Sequence, residues 1–244
     1  MTNPLPNNSS ASIDMAAAKW SASTWIVIAA YNEAPLIGCV VRELRNLLPN
    51  VVVVDDGSSD ETSTAARAAG AVVARHCINL GQGAALQTGI ECALTKGARF
   101  IATFDADGQH RAEDIVAMLE RMEESSADVA LASRFLGTVE GIDALRRQFL
   151  KMAIVFQRIT TAARLTDAHN GLRVFRDTAA RKIKIRQNRM AHASEIISSI
   201  VSNNLKFIEV PCTIRYTTYS RAKGQRLSGA ARILVDLMVR RMYR

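Results

Sequence analysis

Phe100-Ile101-Ala102-Thr103-Phe104-Asp105-Ala106-Asp107-Gly108-Gln109-His110 decides the fold of this 244-residue chain. Arg99 to Phe104 reads as a buried strand, and two carboxylates stand one residue apart where it ends. In an open α/β sheet the carboxyl edge of the strands is where ligands bind. Gly108 loosens the turn, so Asp105, Asp107 and the Gln109 amide can converge on one hard cation. Magnesium and manganese favour oxygen ligands and are often shared between a few carboxylates and a substrate's phosphates. Taken alone, an Asp-x-Asp also fits a solvated turn that caps the next helix, so its surroundings must decide.

Upstream, the pattern alternates strand and helix. Trp25 to Ala30 is a short apolar strand, followed by helical spacing from Leu36 to Leu48. Val51 to Val54 is a β-branched run ending at Asp55-Asp56-Gly57, and Ser59-Asp60-Glu61 opens a helix by offering oxygens to free backbone amides. A third strand is expected at Ala71–Ala74, and a helix over Ala84–Lys96 precedes the Arg99–Phe104 strand. Downstream, Ala112–Glu124 is helical and Asp128–Ala132 strand-like. Continuous apolar strands between helices predict an α/β fold with a mostly parallel central sheet flanked by helices.

The character changes near residue 134. Leu145–Leu165 reads as a helix mixing Arg and Lys with apolar residues. Gly171–Phe175 is strand-like, His192–Asn203 helical, and Lys206–Val210 and Thr213–Tyr216 read as strands broken at Pro211. Arg226–Arg244 has the pattern of a basic amphipathic helix. Residues 1–130 hold 9 Lys+Arg against 16 Asp+Glu, and residues 131–244 hold 22 against 7. That asymmetry points to an anionic partner for the second half. Nucleic acid is not expected, since aromatics are only 5% and base stacking generally needs them.

The four cysteines, Cys39, Cys77, Cys92 and Cys212, have no metal-ligand spacing and read as buried reduced thiols, which suits a cytoplasmic setting. No segment has the length or hydrophobicity of a membrane span, and no signal peptide is evident. Residues 1–24, rich in Asn, Ser and Ala, are expected to form a mobile tail before a single domain over 25–244.

Three polar clusters end successive strands: Tyr31-Asn32-Glu33, Asp55-Asp56-Gly57-Ser58-Ser59-Asp60 and Asp105-Ala106-Asp107. In a parallel sheet all three share one edge, as a nucleotide site requires. Here the chain resembles the family 2 glycosyltransferases of GT-A fold, in particular the branch of dolichyl-phosphate mannose synthases and polyprenyl-phosphate sugar transferases. The resemblance rests on Val27-Ile28-Ala29-Ala30-Tyr31-Asn32-Glu33, Val53-Val54-Asp55-Asp56-Gly57-Ser58-Ser59-Asp60 and Asn79-Leu80-Gly81-Gln82-Gly83-Ala84-Ala85. It continues through Asp105-Ala106-Asp107-Gly108-Gln109-His110, Ser133-Arg134, Asn170-Gly171-Leu172-Arg173 and Glu209-Val210-Pro211, and spans about residues 25 to 238. Ala29 departs from the family, which usually has proline there.

The resemblance implies a nucleotide-sugar-binding half (25–133) and an acceptor-binding half (134–244). Tyr31 and Glu33 would line the base and ribose pocket, with Asp55 or Asp56 contacting base or ribose. Asp105, Asp107 and Gln109 would hold Mg2+ or Mn2+, with His110 supporting them. Gly81 and Gly83 would admit the donor close to the backbone, or simply form a tight loop before a helix. Arg134, Arg221 and Lys223 are candidates to stabilise the departing diphosphate. Glu195 is a candidate general base, with an Arg partner or an exposed helix acid as its other readings. His76, His169 and His192 are assigned no role.

The implied reaction is an inverting transfer of a sugar from a nucleoside-diphosphate sugar to a polyprenyl phosphate or other lipid-linked acceptor. The basic helices would touch an anionic membrane at its cytoplasmic face. The competing acceptor is a saccharide hydroxyl, and the competing class is a nucleotide-binding protein without catalysis. A nucleotidyltransferase would carry a Gly-rich basic loop where this chain has Tyr31-Asn32-Glu33, and a receiver-like domain would not explain the second acidic cluster.

Overall fold

A computed structural model describes residues 10–140, 165–167, 170–188 and 191–215. The elements run α1 (Ser10–Trp20), β1 (Thr24–Ala30), α2 (Ala34–Leu47), β2 (Val51–Asp55), α3 (Thr62–Ala68), β3 (Val72–Arg75) and α4 (Gln82–Thr95). They continue as β4 (Phe100–Asp105), α5 (Ala112–Ser125), β5 (Val129–Glu140), β6 (Arg173–Arg176), α6 (Asp177–Lys182), α7 (His192–Ser202) and β7 (Phe207–Arg215). The two basic segments predicted as helices, 145–165 and 226–244, lie outside the described residues, apart from Leu165.

The strands form one seven-stranded sheet in the order β3-β2-β1-β4-β6-β5-β7. β1 to β4 are mutually parallel, β6 runs antiparallel to both β4 and β5, and β7 is parallel to β5. Helices cover both faces. Ile26, Ile28, Phe100, Ala102 and Val174 face a layer containing α1, α2 and α5, with Leu44, Ile115, Leu119 and Met122 among the buried contacts. Val27, Ile101, Leu131 and Phe175 face α4, α6 and α7 through Ile90, Ala179, Ile196 and Ile200. All five residues of β2 are buried, as a strand covered on both faces must be. Each fully buried Val or Ile stabilises by about 1.5–3 kcal/mol relative to exposure.

Several expectations change. The segment 10–20 is helix α1 rather than tail: Ala17 and Trp20 are buried, Trp20 meets Phe100 edge-on at 5.2 Å, and Lys19 pairs with Glu123. Its apolar anchors are too few to register against an Asn/Ser/Ala background. Pro211 does not break β7, which runs from Phe207 to Arg215. β7 lies at the sheet edge, where a missing ladder donor is tolerated. β5 continues past Ala132 to Glu140, with a register shift between Ser133 and Thr138. All four cysteines are free, but only Cys212 is buried; Cys39 and Cys77 are exposed and Cys92 is intermediate. Among the described residues, no helix is long and apolar enough to cross a membrane.

Candidate active site

Parallel pairing brings the carboxyl ends of β2, β1 and β4 side by side. Ala30 pairs with Asp55 and Ala29 with Asp105, so the acidic ends of two strands flank the end of β1. The loops leaving that edge are tied together. Asn32, at φ 52°, donates its backbone N–H to Ser58 Oγ at 2.9 Å, and its Oδ1 accepts from Ser59 N at 2.9 Å. Glu33 N donates to Thr62 Oγ1 at 2.8 Å, while Asp60 accepts from Ala34 N and Thr62 N. Tyr31 is exposed and Glu33 is buried.

Asp105 and Asp107 emerge together from the end of β4. His110 Nε2 lies 3.1 Å from Asp105 Oδ2, and Gln82 Nε2 approaches Asp105 Oδ1 at 3.5 Å. Burial raises the Asp105 pKa, but the His110 hydrogen bond and the charges of His110, Arg173 and His192 outweigh it, leaving the carboxyl below its ordinary value. Asp107 is pushed the other way, by burial and then by repulsion from Asp105. Gln109 donates to Asp107 through its backbone N–H at 3.1 Å and through its side-chain amide. Two carboxylates and an amide oxygen make a hard-oxygen donor set. Among the described residues no three His, Cys, Asp or Glu side chains converge to enclose a metal. That set fits a divalent cation whose remaining ligands come from substrate oxygens, with His110 orienting Asp105 from behind.

The acidic loop is also bound to the far edge of the sheet. His110 bridges to Ile214, Arg215 N donates to Gln109 O at 3.0 Å, and Thr213 N donates to Asp114 Oδ2 at 2.9 Å. Gly171 lies against Asp105: a Cβ there would sit 2.5 Å from Asp105 Cγ.

Other candidates have different local roles. Asp55 is fully buried, accepting from Ser58 N at 2.9 Å and from Ser63 Oγ, with Arg75 Nε 3.5 Å away. Asp56 accepts from Leu80 N at 2.9 Å and Gly81 N at 2.7 Å, and its Oδ1 lies 2.7 Å from His76 Nδ1. His76, given no role from sequence, thus links Asp56 to Thr88 of α4 at 3.0 Å. The close approach at Gly81 and Gly83 is made by the chain itself. A Cβ at either would collide with the carbonyl of Asn188 or Gln187, and Gly83 N donates to Asn188 O at 3.0 Å. Both glycines thus stand in a tight loop at the start of α4.

Arg134 is buried in an ion pair with Asp167, with Nε 2.6 Å and backbone N 3.1 Å from Asp167 Oδ2. Asp167 is in turn held by Glu209, which accepts from Thr166 N at 2.8 Å and Asp167 N at 3.2 Å. Glu195 Oε2 accepts from Arg186 N at 2.9 Å and Gln187 N at 2.8 Å, so its carboxylate caps a loop. Arg221 and Lys223 lie outside the described residues, as does His169. Sequence reasoning assigned no role to Asp167, Gly171, Arg173 or His192; the only signal was that Asp167, Gly171 and Arg173 cluster around Asn170-Gly171-Leu172-Arg173.

Residues 25–184 match the model of the family described as Glycosyl transferase family 2. The chain is 29% identical over 240 residues to the UDP-N-acetylglucosamine–dolichyl-phosphate N-acetylglucosaminyltransferase of Methanococcus voltae, covering 89% of this chain and 96% of that protein. It is 26% identical over 226 residues to the polyprenol monophosphomannose synthase of Mycolicibacterium smegmatis, covering 87% and 85%. In fold it is similar to glucosyl-3-phosphoglycerate synthase from Mycobacterium tuberculosis, solved with Mn2+, uridine diphosphate and glucosyl-3-phosphoglycerate. The TM-score is 0.72 at 14% identity, covering 98% of this chain and 86% of that one. With the strand order, the acidic carboxyl edge and a family match over most of its length, this chain belongs to glycosyl transferase family 2 and is a glycosyltransferase of GT-A fold.

Proposed function

We propose that this glycosyltransferase moves a sugar, with inversion, from a nucleoside-diphosphate sugar to a polyprenyl phosphate or another lipid-linked phosphate. The observation that carries the reading is the convergence of Asp105 and Asp107 with the Tyr31–Glu33 and Asp55–Asp60 loops on one sheet edge. The two lipid-phosphate sugar transferases to which the chain is similar support the acceptor class. Asp105, Asp107 and Gln109 hold a divalent cation, Mg2+ or Mn2+, which bound there stabilises charge on the departing diphosphate as a Lewis acid. Tyr31 covers the nucleoside at the rim, and Glu33 approaches the ribose. Arg221 and Lys223 add positive charge to the leaving group.

The acceptor's phosphate oxygen attacks the anomeric carbon. The bond from that carbon to the diphosphate oxygen breaks, and the nucleoside diphosphate leaves with the electron pair. A phosphate acceptor is already ionised and needs no general base. Glu195, occupied with two backbone amides, is therefore not required as one. The basic, apolar-striped segments 145–165 and 226–244 dock the enzyme peripherally on the cytoplasmic face of an anionic membrane, each basic residue contributing about 1 kcal/mol.

A thermal-shift screen of nucleotide sugars with and without Mn2+ identifies the donor, since binding stabilises the native state. The Asp105→Ala, Asp107→Ala double variant should stay folded and lose metal-dependent transfer to a polyprenyl phosphate. Full metal-dependent transfer by that variant would sink the proposal. Liposome flotation with anionic vesicles at low salt tests the membrane contact.

A further inference from the structure

We infer that Arg173 is an oxyanion-binding residue, held desolvated beside Asp105 so that its guanidinium receives a phosphate oxygen of the bound ligand. The inference rests on the function proposed above and adds a contact to its site. Arg173 is 3% exposed, and its Nη1 is buried with no hydrogen-bond partner. A guanidinium carries five N–H donors, and a buried cation lacking acceptors is strongly disfavoured. Such a group is accounted for when a ligand brings the missing oxygen.

Topology puts Arg173 where that ligand would sit. β6 runs antiparallel to β4, so its first residue, not its last, lies at the carboxyl edge that carries Asp105. Arg173 pairs with Thr103 of β4, two residues before Asp105, and with Leu131 of β5, three residues before Arg134. Two residues upstream, Gly171 abuts the Asp105 carboxylate. His110 Nε2 lies against Asp105, and Arg134 is ion-paired with Asp167; among the described residues Arg173 feels both carboxylates without an ion pair to either. It therefore stands between the Asp105–Asp107 loop and the Arg134–Asp167 pair. Its planar fork matches phosphate oxygens better than an ammonium would. Two sources offer such oxygens: the diphosphate of the nucleotide on the Asp105 side, and the monophosphate of the acceptor on the Arg134 side.

Isothermal titration of the full chain with UDP or GDP in the presence of Mn2+, with pyrophosphate, and with geranyl phosphate tests the assignment in wild type, Arg173→Met and Arg173→Lys. The Met variant should lose at least tenfold in affinity for one source, while the Tm of the free protein holds or rises because a buried unsatisfied charge is gone. The Lys variant should recover part of the affinity. Loss confined to nucleotide and pyrophosphate assigns the donor diphosphate; loss confined to geranyl phosphate assigns the acceptor. Unchanged affinity for every probe, with wild-type sugar transfer, overturns the role of Arg173 and leaves the proposed function standing. Pyrophosphate affinity lost in the Met variant of a protein that neither binds nucleotide nor transfers sugar would do the reverse. A lowered Tm with unchanged affinities means that Arg173 is structural, or that a bridging water fills the gap, and also overturns the inference. If the Met variant does not fold, the Lys variant decides: wild-type affinity for all probes rejects the assignment.

Discussion

Replacing Gly171 with Ala puts one methyl group against the acidic site. The new Cβ would lie 2.5 Å from Asp105 Cγ and closer still to both carboxylate oxygens. Carbon atoms rest at about 3.5–4.0 Å, so roughly 1 Å of movement is required. Rotating the carboxylate about its last bond moves the oxygens but leaves Cγ in place, so the whole side chain must swing. It then leaves His110 Nε2, 3.1 Å away, and Gln82 Nε2, 3.5 Å away. The backbone of Gly171 does not have a positive φ, so alanine adds no conformational strain of its own. Misplacing a reacting group by about 1 Å costs on the order of 10²-fold, or about 2.7 kcal/mol of transition-state stabilisation. Overpacking of the fold itself costs about 1–3 kcal/mol. Initial rates of sugar transfer across a Mn2+ titration, alongside urea denaturation, separate the two effects. The expected result is a folded protein with weaker apparent metal affinity and a kcat/KM down by about two orders of magnitude. Wild-type turnover with wild-type metal dependence would refute the reasoning.

Three further outcomes follow from the same contacts. Asp167→Ala removes the buried carboxylate that Arg134 Nε and Arg134 N both donate to, so unfolding free energy in urea should fall by about 3–5 kcal/mol, and a loss under 1 kcal/mol would contradict the burial argument. Glu195→Gln keeps an acceptor for Arg186 N and Gln187 N, so kcat should stay within several-fold of wild type with an unchanged pH–rate profile; a general base would lose about 10²–10⁴-fold. Burial raises the Asp55 pKa, but its hydrogen bonds to Ser58 and Ser63 and the charge of Arg75 outweigh that and leave it below the ordinary aspartate value. Its stabilisation is therefore complete above the ordinary Asp range and is lost as the pH falls through the lowered folded value. Acid unfolding curves of Asp55→Asn should show a weaker pH dependence across that window, and curves parallel to wild type would contradict it.

Much of the fold could be read from continuous apolar runs. Val51–Val54 and Phe100–Phe104 are buried on both faces, and such strands carry no alternation to confuse with a helix. Strand direction is not written in that pattern, so the antiparallel β6, only four residues long, emerged only with the sheet. The clustered carboxylates were visible because chemistry and strand ends coincide in the chain. Their supports were not, because the contacts are tertiary: Gly171 meets Asp105 across 66 residues, and Glu209 holds Asp167 across 42. The same distance hid the fate of Asp56 and Arg134, whose partners, Gly81 and Asp167, lie 25 and 33 residues away.

The edge position of β7 sets an order of assembly. Glu209 anchors Asp167, while Thr213 and Arg215 fasten the segment that follows β4. At about 5–20 residues per second of synthesis, the 42 residues between Asp167 and Glu209 take roughly 2–8 s to appear. Once β6 is made and links β4 to β5, the nascent sheet ends at β5 until β7 appears, and the free backbone edge of β5 is a template for pairing with another chain. β7 is thus both the last described strand to be made and the one that closes this edge, so a ribosome stalled before Phe207 would leave a chain prone to aggregation as well as inactive.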